Sequence, residues 1–196
     1  MQDAYRYTAF ATTLGQRIEA GRDTTLPDEL QVQIRVLPFQ ASSVVSAKQE
    51  ELDRLGTELW NSATRLRRDE TGTNGQSSDA ITRKNQTIPL LRAFSFLLLD
   101  SAGGQGAKGR QRKNCIRLIK VALKAARICI ECNELSIATK VLERAAEYQD
   151  VLSQEIEGDQ RERELVDGLR AQYFAVRTTL VSFGSNIKTA NLTKLH

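Results

Sequence analysis

The sequence predicts an all-α chain, a segment of a right-handed helical-repeat solenoid made of antiparallel helix pairs. Three observations carry that expectation. Apolar residues recur at spacings of three and four in separate segments, only three prolines interrupt 196 residues, and one segment is apolar almost all round except for a narrow polar stripe. A helix of that last kind needs neighbours on two or three sides, which a stack of helices supplies.

Taken in chain order, Tyr7, Phe10, Leu14 and Ile18 set a first helix over residues 7–20, stopped near Gly21. Two patterns compete over 26–38. Pro27, Asp28 and Glu29 suit a helix first turn, whereas Val32, Ile34 and Val36 alternate as in a strand; the helical surroundings favour helix. From Ser46 to Arg68, Leu52, Leu55, Leu59, Ala63 and Leu66 keep helical spacing and Trp60 widens the buried face, completing an N-terminal helical region over 1–69. Residues 70–87, which open on a run of Thr, Gly, Asn and Ser, read as a flexible surface loop. A helix resumes over Ile88–Leu99 with Pro89 near its start, and its run LLRAFSFLLL is too short to cross a bilayer, so it reads as buried on most sides. A Gly-rich basic loop over 101–113 comes next, carrying Lys108, Arg110, Arg112 and Lys113.

The region from 88 to 196 holds the repeats. Between Cys115 and Cys132 the main polar positions are Arg117, Lys120, Lys124, Arg127 and Glu131, spaced three or four apart, which is one stripe of a helix. A turn at Cys132, Asn133 and Glu134 leads to a second helix with Leu135, Ala138, Leu142, Ala145 and Ala146 inward, small residues that let two helix axes approach. The register of Ala126, Leu135, Ala138, Leu142 and Ala145 resembles one tetratricopeptide (TPR) repeat. A second, incomplete match is expected after a long helix over 155–183, with a turn at Gly184, Ser185 and Asn186 before Ile187 and Ala190.

Three segments in order, LDRLGTELWNSATRLRRD, LLRAFSFLLLD and NCIRLIKVALKAARICIECNELSIATKVLERAAEYQD, resemble the N-terminal region of the fungal meiotic TPR-like proteins of the zipper-four and sporulation-twenty-two type. The resemblance covers roughly residues 50 to 190 of this chain, and members of that family are much longer. It implies a non-enzymatic scaffold in the nucleus, on meiotic chromosomes, that supports synaptonemal complex assembly and crossover formation through other proteins of the synapsis machinery.

The side chains themselves favour binding over catalysis. The one histidine is His196, which removes histidine-based nucleophilic or metal chemistry. Cys129 and Cys132 form a CxxC without a second ligand pair and read as buried structural cysteines; three cysteines within 18 residues do not make a disulfide scaffold. In GGQGAKGRQRK the lysine is followed by glycine where a phosphate-cradling loop needs Lys and then Ser or Thr. No cofactor or metal is expected. Glu155, Glu157, Asp159, Glu162 and Glu164, interleaved with Arg161 and Arg163, read as a solvated helix face.

A formal charge of +4, from 28 basic and 24 acidic residues, argues against a life on DNA phosphates alone, although the basic loop leaves a DNA contact or a nuclear address open. The N-terminus lacks the pattern of a secretory signal, and no membrane segment is expected. The TPR-like register places Lys120, Lys124 and Arg127 on or beside the groove, as candidates for holding an acidic segment of a partner; ordinary solvent-facing charges are the competing reading. A general TPR adaptor for acidic peptide tails and a nucleic-acid-binding helical repeat are the alternative functions.

Overall fold

The ambiguous second segment is a helix, and its burial pattern shows why. In a computed structural model that describes residues 2–20, 25–39, 43–69, 78–103, 111–154 and 160–192, α2 spans Leu26–Val36. Leu26, Leu30 and Ile34, spaced at four, are buried, while Val32 and Val36 stay 57% and 53% exposed. A strand would have put Val32, Ile34 and Val36 on one face. Leu37 then turns to extended backbone ahead of Pro38, because a residue before proline is driven out of the helical region.

The chain divides into two compact units, 1–110 and 111–196, and all described secondary structure is helical. In the first unit, α1 spans Gln2–Ala20, α3 Ser43–Ala47, α4 Gln49–Asp69 and α5 Ser78–Ser101. The helix expected over 46–68 is thus broken near Lys48 into a short and a long piece. Helix α5 is the hub: α4 and α2 pack on it, and α1 packs on α4. Every residue from Thr87 to Ala102 is buried, as expected for LLRAFSFLLL. Phe10 of α1 meets Phe94 of α5 edge to face, with ring centroids 5.7 Å apart. Arg17 forks onto Glu29 through two hydrogen bonds of 2.7 and 2.9 Å, tying α1 to α2.

At Gly56, α4 and α5 come so close that a β-carbon there would lie 2.8 Å from Leu99 Cγ and 3.0 Å from the carbonyl oxygen of Ser95. Glycine is therefore required by packing and not by backbone conformation.

Two expectations for this unit are corrected. The loop assigned to 70–87 is helical from Ser78 onward, so Pro89 sits inside a 24-residue helix and not at its start; residues 70–77 lie outside the described residues. The dense burial that begins at Thr87 outweighs the polar composition before it, and Pro89 removes one backbone hydrogen bond without ending the helix. The region assigned to 88–196 also divides later, at 110/111, because α5 packs with α2 and α4.

The second unit consists of α6 (Arg112–Glu131), α7 (Leu135–Gln154) and α8 (Gln160–Leu192), with α6 and α7 its most extensive pair. A three-residue link makes α6 and α7 antiparallel neighbours. Asn133 adopts φ 64°, the Glu134 N–H reaches back to the Cys129 carbonyl at 2.7 Å, and the Asn133 N–H donates to the Ile130 carbonyl at 3.0 Å. These two bonds form a Schellman cap, and asparagine tolerates the left-handed backbone it needs.

Helix α8 buries one line, Val166, Leu169, Tyr173 and Val176, and packs on both α6 and α7. Arg112 reaches Glu162 at 3.3 Å, and Arg170 donates to the Ser153 hydroxyl. Of the charge-dense stretch expected on a solvated face, Glu164 and Arg161 are exposed and Glu162 is half-buried; Glu155, Glu157 and Asp159 lie outside the described residues.

The second repeat expected at the C-terminal end is not formed. No turn interrupts Gly184, Ser185 and Asn186; α8 runs unbroken to Leu192, so Ile187 and Ala190 lie on the same helix as Val166. A single glycine costs a helix only about 1 kcal/mol, and the Ser185 hydroxyl donates to the Val181 carbonyl at 3.0 Å, a bond made within a continuing helix.

Candidate functional site

Helix α6 forms from straight-chain and apolar residues with no proline or glycine, and nearly all of its surface is covered. Cys115, Ile116, Leu118, Ile119, Ala122, Leu123, Ala125, Ala126, Ile128, Cys129 and Ile130 are buried, whereas Arg117, Lys120, Lys124, Arg127 and Glu131 are exposed. The polar stripe read from spacing is therefore the main open line of the helix, with Asn114 exposed beside its first turn. It extends one step further than expected, because Arg112 and Lys113, assigned to the loop, belong to the first turn of α6 and Lys113 is exposed. Lys108 and Arg110 of that loop lie outside the described residues.

Along an α-helix the rise is ~1.5 Å per residue, so Lys113, Arg117, Lys120, Lys124 and Arg127 form a file of cations about 21 Å long. Lys113, Lys120, Lys124 and Arg127 make no ion pair or hydrogen bond with a described residue. Glu131 reverses the sign and ends the file. An array of this kind attracts a complementary row of carboxylates from another molecule; each exposed pair contributes about 0.2–1 kcal/mol, so the row fixes orientation more than it supplies affinity.

The residues expected to pack the repeat divide into two groups. Ala126, Ala138 and Ala145 are fully buried and Leu142 nearly so. Leu135 and Ala146 are only half-buried; Leu135 opens the first turn of α7, and the inner positions around it belong to Ile137, Val141 and Tyr148, the last completely buried.

The two cysteines of the CxxC have different fates. Cys129 is buried, but Cys132, at the helix C-cap, is exposed, which corrects the expectation that both are internal. Burial pushes the Cys129 thiol well above its ordinary value of 9.0, with Glu134 and Cys132 adding to the effect. That favours the thiol over the thiolate and works against nucleophilic use. Among the described residues no group of three His, Cys, Asp or Glu side chains could hold a metal ion.

In the first unit, a buried cation sits where no sequence motif marks a site. Arg92, the single cation in the apolar run of α5, is only 8% exposed, stacks over Trp60 with its guanidinium carbon 4.6 Å from the ring centroid, and donates to the Thr64 hydroxyl at 3.3 Å. Its Nε has no hydrogen-bond acceptor among the described residues. Burial, and then the nearby charge of Arg67, lower its basicity. The signal available in the sequence was the lone arginine itself together with a tryptophan on the preceding helix.

No helix among the described residues is long and apolar enough to cross a membrane. Compared with known proteins, the chain matches no protein-family model, no curated sequence and no solved structure.

Proposed function

We propose that this chain is a non-enzymatic protein-interaction scaffold and that it takes up an acidic segment of a partner along the cation file of α6. The observation that carries this reading is the isolation of Lys120, Lys124 and Arg127. They are exposed and unpaired among the described residues, on a helix whose other faces are largely covered. Charges held only to keep a helix wet are commonly interleaved with the opposite sign. Here one sign runs from Lys113 to Arg127.

The α6–α7 hairpin, with Ala126, Ala138 and Ala145 buried, is read as one TPR-like pair of a right-handed solenoid, α6 lining the binding face. The resemblance of its sequence to meiotic TPR-like scaffolds assigns the partners to the synapsis and crossover machinery and the chain to the nucleus, on meiotic chromosomes.

The test is the triple change Lys120→Glu, Lys124→Glu and Arg127→Glu, with folding checked by circular dichroism. The folded variant is expected to lose the partners that the native chain recovers from nuclear extract of meiotic cells. Equal recovery at the same salt refutes the docking role. Diffuse cytoplasmic staining of the tagged chain would instead favour a general adaptor for acidic tails.

A further inference from the structure

Resting on that docking reading, the geometry points to an α-helical partner whose carboxylates repeat at alternating three- and four-residue spacing, and not to an extended acidic tail. The steps along the file, Lys113 to Arg117, Lys120, Lys124 and Arg127, are four, three, four and three residues, all on one continuous helix. At ~1.5 Å per residue they average about 5.25 Å per charge and span about 21 Å.

An extended peptide presents one face every second residue, about 6.7 Å apart, so five charges would span about 27 Å. The mismatch of about 6 Å is more than one whole step of the file, and an extended chain can satisfy only part of it. A polyproline helix, repeating every ~9.3 Å, fits less well. A second α-helix with acidic residues at i, i+4, i+7, i+11 and i+14 repeats the same 21 Å, and two helices sharing a 3.5-residue stripe stay in contact when they cross at about 20°.

The width of the file agrees. The side chains next to it on α6, at Ile116, Leu123 and Ile128, are buried and Val121 is half-buried, so beyond the exposed Asn114 of the first turn the open surface is narrow and suits the ridge of a single helix.

The full chain is titrated against three fluorescein-labelled peptides of equal charge and equal length, about three heptads, monitored by fluorescence anisotropy at low salt. One carries glutamates at the heptad spacing in a helix-forming background, one carries them at every second position, and one is the heptad peptide with a central proline. The heptad peptide is expected to bind about tenfold tighter than either of the others, to gain helical dichroism on binding, and to lose affinity steeply with salt. The double change Lys120→Glu and Lys124→Glu is expected to remove that preference.

If the alternating peptide binds as tightly as the heptad peptide, and its binding is still lost in the double variant, the helical partner is overturned while the docking face stands. If no peptide responds to the double change, the docking face falls with it. A single-stranded oligonucleotide that outcompetes the heptad peptide at equal charge also overturns the inference.

Discussion

The crossing of α4 and α5 predicts that one chemical change has opposite effects at two glycines. Gly56→Ala places a methyl group 2.8 Å from Leu99 Cγ and 3.0 Å from both Leu99 Cδ2 and the Ser95 carbonyl oxygen. Leu99 is 2% exposed and cannot swing into solvent, and the carbonyl belongs to the backbone of α5, so relief requires the helices to part. Overpacking of this kind costs roughly 1–3 kcal/mol, against a gain of about 1 kcal/mol from alanine over glycine in a helix interior. The net is a loss of about 1 kcal/mol.

At Gly168, on α8, a β-carbon meets nothing within 4 Å, so Gly168→Ala keeps the gain of about 1 kcal/mol without the clash. The two variants should therefore differ by ~2 kcal/mol. Urea denaturation at constant slope reads this directly, since a changed midpoint with an unchanged slope reports stability alone. Trp60, the single tryptophan, lies on α4 one turn from Gly56 and reports the first unit by fluorescence, while far-ultraviolet dichroism follows all the helices, α8 among them. A Gly56→Ala protein as stabilised as Gly168→Ala would refute the close crossing.

Three further outcomes are expected. Leu142→Asp buries an unpaired carboxylate between α7 and its neighbours, and Ala138→Trp overfills a fully buried site; each should cost several kcal/mol, about 3 or more, and unchanged thermal stability in either would refute the packing register of the α6–α7 pair. Asn133→Gly should leave stability unchanged or raise it, whereas Asn133→Val should lower it by about 1–2 kcal/mol, because the residue holds φ 64°; equal stability of the two variants in thermal melts would show that the left-handed cap is not needed. Cys129 keeps its proton in the folded chain at pH values where the unfolded chain releases it. Its contribution is therefore fully present below pH 9.0 and is lost as pH rises above it, by up to ~1.4 kcal/mol per pH unit. Urea midpoints of the native chain and Cys129→Ala, compared from about pH 7 to 10, should diverge in slope above about 9, and parallel curves would contradict the burial of that thiol.

Local periodicity was the legible part of the sequence. Leu14, Ile18, Leu52, Leu55, Leu59, Ala63, Ala138 and Leu142 lie on helix faces set by 3.6-residue spacing alone, and all are buried. The open line of α6 was legible for the same reason, since a polar stripe on an apolar helix marks its main wet face.

Boundaries were less legible where composition and tertiary packing disagree. The start of α5 lies in a Ser-, Thr- and Asn-containing stretch of polar composition, so its first turns from Ser78 are not marked in the sequence, whereas the burial of the apolar run that follows is. Gly184, Ser185 and Asn186 have turn composition, yet a helix can hold all three at modest cost. Arg92 was missed because its environment is made by another helix: Trp60 and Thr64 are 32 and 28 positions away in sequence and adjacent only after α4 folds onto α5.

The central claim, that the cation file of α6 is a docking face, is tested most directly by lysine-acetylation footprinting of the chain with and without a saturating heptad-spaced acidic peptide. Lys113, Lys120 and Lys124 should be modified readily in the free chain, being exposed, and several-fold more slowly in the complex. Lys48, which is half-buried and paired with Glu51 in the other unit, should react at the same rate in both. Undiminished acetylation of Lys120 and Lys124 in the complex, with protection elsewhere, would contradict the docking role of α6.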